Sequence, residues 1–149
     1  MISAIKANAE VALKSMRQVS GIDLGYDRRS VIWLQQYFQD VLASGRYERY
    51  GRGERHIIVS VFGAFLGECA ARCHGGQWAK SNGTWCLRVG ERTMCPFFAV
   101  ARQLEDGHGL GAVFDATASE VGSCRAGLRP GDGNTARRPR RKRRLGFAA

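Results

Sequence analysis

Five cysteines and three histidines carry the widest range of possible chemistry in this chain. Cys69 and Cys73 stand four positions apart, His74 adjoins Cys73, and Cys86 and Cys95 follow. A tetrahedral zinc site needs four soft or borderline ligands, and its strong sequence sign is a pair of knuckles with two-residue spacing. That sign is absent here, so free cysteines packed as small hydrophobes are the stronger reading and a zinc or thiol-dependent enzyme the weakest of three. A nucleophilic thiol also needs a histidine within hydrogen-bond reach and a group to orient it. Cys73 and His74 are chain neighbours, and helical neighbours point about 100° apart, which argues against a dyad. Spacing ties neither His56 nor His108 to a thiol. The chain has no P-loop and no dinucleotide fingerprint, so neither a cofactor nor a catalytic set is expected.

Glu68 is the most informative carboxylate, because it follows Gly67 in the apolar stretch IIVSVFGAFLGECAA. Desolvation there would raise its pKa and open an acid–base role. The simpler reading pairs it with Arg72 at i,i+4, worth about 0.2–0.5 kcal/mol on a surface. Glu68 and Trp78 are the candidate functional surface of the domain. The remaining aromatic question concerns Trp33, Tyr37, Tyr47 and Tyr50, the last two interleaved with Arg46, Arg49, Arg52 and Arg55. Such a segment can stack on a nucleic-acid strand, but an ordinary solvated loop is the stronger expectation.

Charge is unevenly distributed. The formal net charge is +10; residues 1–120 hold 14 basic and 12 acidic side chains, leaving +2, and residues 121–149 contribute +8. The densest run is Arg137, Arg138, Pro139, Arg140, Arg141, Lys142, Arg143 and Arg144. Its basic members are the candidate polyanion-binding residues, with salt-sensitive, sequence-independent affinity for DNA or RNA through counterion release. The same Arg, Gly and Pro composition is also what GC-rich codons give in a shifted reading frame. A like-charged segment with few large apolar residues is expected to be disordered.

These residues must be positioned by elements that periodicity predicts. Ile5, Ala9, Ala12, Leu13, Met16 and Val19 mark an amphipathic helix ending near Gly21. Asp27 is a suitable N-cap for a second helix bearing Val31, Leu34, Phe38, Val41 and Leu42, ended by Gly45. The polar, turn-prone linker RYERYGRGER leads to a third helix over about residues 54–73, with Gly63 and Gly67 on one side for close packing. Gly75 and Gly76 end it. Asn82-Gly83 reads as a tight hairpin turn, with Trp85, Leu87 and Val89 facing one way and Cys86 and Arg88 the other. A second turn at Gly90-Glu91 precedes a short third strand, and Pro96 suits the first turn of a helix closed by Gly107. LGAVFDATA then folds back through Leu110, Val113 and Phe114.

The stretch FGAFLGECAARCHGGQWAK with RTMCPFFAVARQLEDG resembles a family of small uncharacterised bacterial domains, domain of unknown function 3806. The matching positions are Gly63, Leu66, Gly67 and Glu68, then Gly75, Gly76 and Trp78, then Pro96, Phe97, Leu104, Glu105 and Gly107. The resemblance covers roughly residues 60–115 and implies a fold rather than an activity; the Arg-rich tail departs from it.

The expected architecture is one α+β domain over residues 1–120, with N-terminal helices packed on an antiparallel sheet of two or three strands and a C-terminal helix. A disordered basic tail covers 121–149. The N-terminus, interrupted by Lys6, Glu10, Lys14 and Arg17, lacks the apolar core of a secretory signal. No apolar run reaches the roughly 20 residues of a membrane span, so a cytoplasmic location is expected. The expected function is a non-catalytic protein-interaction module, with nucleic-acid binding through the tail as the alternative.

Overall fold

The computed structural model describes residues 1–117. The expected tail, including Cys124 and Arg137 to Arg144, lies outside the described residues. Helix α1 spans Ile2–Ser20 and buries Ile5, Ala9, Ala12, Leu13 and Met16, as its periodicity predicts. Gly21 closes it in the left-handed conformation, donating its N–H to the Arg17 carbonyl. Val19 departs from the expected stripe and is 62% exposed.

Helix α2, Arg28–Ala43, opens at Asp27, whose side chain accepts the Ser30 N–H. Val31, Leu34, Phe38 and Val41 form its buried stripe. The following segment is not the solvated linker its polarity suggested. A short helix, α3, Arg46–Arg49, buries Tyr47, and the Arg55 guanidinium stacks 4.4 Å from that ring while donating to the Tyr47 and Tyr50 carbonyls. One arginine thereby satisfies backbone acceptors and covers an aromatic face, which orders a stretch that lacks apolar periodicity.

Helix α4, Arg52–His74, is the hub. It is long and apolar enough by length and composition to cross a bilayer, which the count of uninterrupted apolar residues had excluded. Within this fold 44% of its apolar window is buried, packed chiefly against α1 and the helix that follows the sheet. Gly75 ends it with φ +78°, and the chain enters a three-stranded antiparallel sheet in the order β1-β2-β3, with β1 at Gln77–Ser81, β2 at Thr84–Val89 and β3 at Arg92–Met94. Asn82 and Gly83 both have positive φ, as the tight hairpin turn requires. Leu87 and Val89 face the core. Cys86, on the other face with exposed Arg88, is nonetheless buried because Cys95 covers it.

Helix α5, Pro96–Asp106, begins with proline at its first position and ends at Gly107. A last helical segment, α6, covers 110–117. Its first N–H groups are capped at long range: Gln103 Oε1 accepts from Leu110 at 3.1 Å and Gln35 Oε1 from Gly111 at 2.7 Å. Leu110 and Phe114 are fully buried, so the segment folds back as expected. Arg28 grips Asp115 through two 2.8 Å bonds. The first cause of the lowered Asp115 carboxyl is that hydrogen bond. Its contribution is therefore present above the unfolded carboxylate range and fades as pH falls through the lower folded value; exposure keeps it small.

The glycines of α4 serve close approach. A Cβ at Gly63 would lie 2.9 Å from the Phe97 Cα and collide with that ring; one at Gly67 would strike the Trp78 indole. Gly53, on the same helix, faces open space. Gly67→Ala and Gly63→Ala are each expected to destabilise the domain by about 1–3 kcal/mol through overpacking. Gly53→Ala should leave stability unchanged or raise it by up to about 1 kcal/mol. Urea unfolding of the three variants checks this contrast.

Candidate functional site

The two domain residues singled out from sequence meet in the fold. Trp78 Nε1 donates to Glu68 Oε2 at 2.9 Å, and Arg72 Nε donates to Glu68 Oε1 at 3.2 Å. Glu68 is 3% exposed, so the i,i+4 pair foreseen as a surface contact is a half-buried clamp with an indole as its second donor. The network continues outward. The Arg72 guanidinium lies 3.8 Å from the centre of the Tyr26 ring, and the Tyr26 hydroxyl donates to Glu10 on α1. Burial first, then the Glu10 contact, pushes the Tyr26 hydroxyl pKa well up, which keeps it a donor.

This chain of contacts joins α1, the α1–α2 connection, α4 and β1. An open groove of about 430 Å³ runs beside it, lined by Lys6, Glu68, Arg72, Gln77 and Trp78 among others. Each Glu68 oxygen already accepts from a fixed donor, so the carboxylate acts as an anchor for the indole rather than as a proton shuttle. Among the described residues no thiol, hydroxyl or imidazole is hydrogen-bonded to it.

The cysteines separate into two environments. Cys69 is fully buried, and burial drives its thiol pKa far up. Cys73 is half-buried and donates its S–H to the Tyr26 carbonyl at 3.5 Å; burial, then the Asp27 charge, raises its pKa. His74 turns away from both and packs 4.4 Å from the Phe114 ring centre, its buried Nε2 without a partner among the described residues. Cys86 and Cys95 face each other, with sulfurs 2.9 Å apart. Among the described residues, no three histidine, cysteine or carboxylate side chains converge as metal ligands.

A second feature was only partly visible in the sequence. Met16 and Val19 of α1, Trp33, Tyr37, Phe38 and Val41 of α2, Tyr50, Ile58 and Phe62 of α4 and its approach, and Leu104 of α5 line a cleft of about 160 Å³. Its walls are predominantly apolar. Trp33 and Tyr37 stack at 5.3 Å with nearly parallel rings, and Phe38 meets Phe62 edge-on at 5.4 Å. The signal available beforehand was the i,i+4 spacing of Trp33 and Tyr37; their convergence with α1 and α4 depends on tertiary packing. The Arg46 guanidinium sits 5.8 Å from the Tyr37 ring centre; Arg49 and Arg52, either side of Tyr50 in the chain, are exposed without an ion-pair partner among the described residues.

Comparison of the chain with protein-family models, curated proteins and solved structures gave no match.

The clamp has a direct consequence for stability. Glu68→Ala removes the acceptor and leaves a half-buried indole N–H unpaired, so it is expected to cost about 1–3 kcal/mol. Glu68→Gln retains an acceptor oxygen for Trp78 and should lose less. Urea unfolding followed by tryptophan emission separates the two; equal losses would show that charge, not the indole bond, matters.

Proposed function

We propose that the domain is a non-catalytic interaction module that captures one bulky apolar side chain of an acidic polypeptide segment in the aromatic cleft. The cleft is the observation that carries this reading. Its volume of about 160 Å³ matches a cavity of ~150 Å³ that admits a benzene-sized group. Val19, 62% exposed, stands at the mouth of aromatic and aliphatic walls, an arrangement of exposed apolar surface that marks interaction sites when it is contiguous. The segment next to Tyr50 carries Arg46, Arg49, Arg52 and Arg55 against Glu48 and Glu54, and that excess of basic groups favours carboxylates on the partner. The chain's own basic tail carries the wrong charge for that segment.

Membership of the small bacterial domain family and a cytoplasmic location belong to the same proposal. The first is supported by the way the LGE, GG-x-W and Pro-Phe residues share one interface.

A short blocked acidic peptide with one central phenylalanine, titrated into the full chain, should shift the Trp33 indole resonance. Its alanine counterpart should bind at least about tenfold more weakly, since burying a phenylalanine side chain contributes about 1.5–3 kcal/mol. Val19→Asp, an exposed change, should weaken the phenylalanine peptide comparably without altering the unfolding midpoint. Equal affinity for both peptides would end this reading.

Charge supports a second reading, polyanion binding through Arg137, Arg138, Arg140, Arg141, Lys142, Arg143 and Arg144. A chain ending at residue 117 is then expected to lose nearly all affinity for single-stranded RNA, and the full chain should show a salt slope of about −0.7 per phosphate contact. Filter binding at several salt concentrations measures both. Equal binding by the two chains would remove the tail from consideration.

A further inference from the structure

Cys86 and Cys95 are opposed by the sheet itself. The β2–β3 register pairs Val89 with Arg92, Arg88 with Thr93 and Leu87 with Met94. One further step along that ladder sets Cys86 against Cys95, and their sulfurs are 2.9 Å apart. An S–S bond is ~2.05 Å long, so bond formation requires the sulfurs to approach by about 0.9 Å.

The two thiols are also unlike each other. Cys86 is 2% exposed. Burial, and then the hydrogen bond with Cys95, pushes its pKa up to about 11, which keeps it protonated. Cys95 is half-buried and immediately precedes Pro96, so it is the N-cap residue of α5, an 11-residue helix. Cys95 lines an open groove of about 390 Å³ together with Arg92, Phe98, Arg102 and His108. Phe98 is 64% exposed. Arg102 forms a 3.2 Å ion pair with Asp106, and Thr93 and Thr117 add hydroxyls to an otherwise mixed lining.

We propose that Cys86 and Cys95 form a redox-active dithiol that exchanges with small disulfides of the glutathione type, the more accessible Cys95 attacking and the buried Cys86 resolving. Cys95 loses its proton to solvent and its sulfur attacks one sulfur of R–S–S–R. The S–S bond breaks and R–S⁻ leaves, taking up a proton, while Cys95 is held in a mixed disulfide. Cys86 then loses its proton and attacks the Cys95 sulfur, expelling the second R–S⁻. The dithiol gives up two electrons and the small disulfide becomes two thiols. The groove gives R access to the Cys95 sulfur beside the apolar Phe98 ring. This site is independent of the aromatic cleft, and either can fail without the other.

The test is incubation of the folded full chain with glutathione disulfide, followed by alkylation of the remaining thiols and peptide mapping by mass spectrometry. The expected result is loss of the Cys86 and Cys95 thiols and a single bond between them, with Cys69 and Cys73 still free. In Cys86→Ser the reaction should stop at a glutathione adduct on Cys95; in Cys95→Ser no adduct should form on Cys86. Five free thiols after incubation, or a bond between other cysteines, would overturn the proposal. An adduct on Cys86 in Cys95→Ser would overturn the assigned order of attack. The wild-type map needs no substitution, so the outcome does not depend on how either variant folds. The same incubation in urea should scramble the pairings, which shows that the single bond belongs to the folded state.

Discussion

The fold depends on how closely α4 can be approached. An ordinary helix holds its neighbours off by the side chains on its surface. Gly63 and Gly67 remove that barrier along one side of α4, and three residues from outside the helix occupy the space: Phe97 over Gly63, and Trp78 and Pro96 over Gly67. The sheet enters through Trp78 and the last long helix through Pro96 and Phe97. Both are therefore fixed by a single strip of backbone. Glu68, next in sequence to Gly67, accepts the indole N–H and so sets the orientation of the ring that Gly67 admits. Glycine lowers helix propensity by about 1 kcal/mol at each interior position, and the burial of two aromatic rings offsets that loss.

This explains why motifs separated in the chain belong together. LGE supplies a buried leucine, a seat and an acceptor; GG-x-W supplies the left-handed turn and the ring that fills the seat; Pro-Phe starts α5 against the same strip. Gly76 has its own reason. A Cβ there would lie 2.7 Å from a Val89 methyl and 2.8 Å from a Leu87 methyl, so the turn from α4 into β1 passes directly under the β2 side chains.

Much of this was legible beforehand because it follows from local rules. The 3.6-residue periodicity of α1 and α2, the Asp27 cap, the Asn82-Gly83 turn and proline at the start of α5 each act within a few residues, and the structure has all of them. What escaped were effects of distant partners. Val19 continues the α1 periodicity yet is exposed, because the stripe outlasts the surface it packs on. Tyr47 lies in a polar sequence and is buried, because Arg55 reaches back eight positions to cover it. Cys86 sits on the face of β2 that alternation assigns to solvent, where Cys95 and the start of α5 shield it. Glu68 and Trp78 were each recognised as unusual, but their bond spans a helix end and a strand, and no spacing rule encodes it. The aromatic cleft is the extreme case, since its walls come from four helices and the segment leading into α4.

The glycine strip and the cysteine pair are connected by geometry. Cys95 directly precedes the two residues, Pro96 and Phe97, that are seated on Gly67 and Gly63, so the N-terminus of α5 has little freedom to move away. Cys86 is held from the other side by the β1–β2 and β2–β3 ladders, whose registers place Ala79 and then Cys95 beside it. Two thiols held by separate rigid elements lose little conformational freedom when joined, and the chain-entropy term that opposes closing a loop has already been met by folding. The same close packing that fixes the sheet against α4 thus presents one thiol at a helix N-terminus facing a groove, with the second protonated and buried behind it. A looser strip, with alanine for either glycine, would displace the start of α5 and with it Cys95, whereas Cys86 would remain in its ladder.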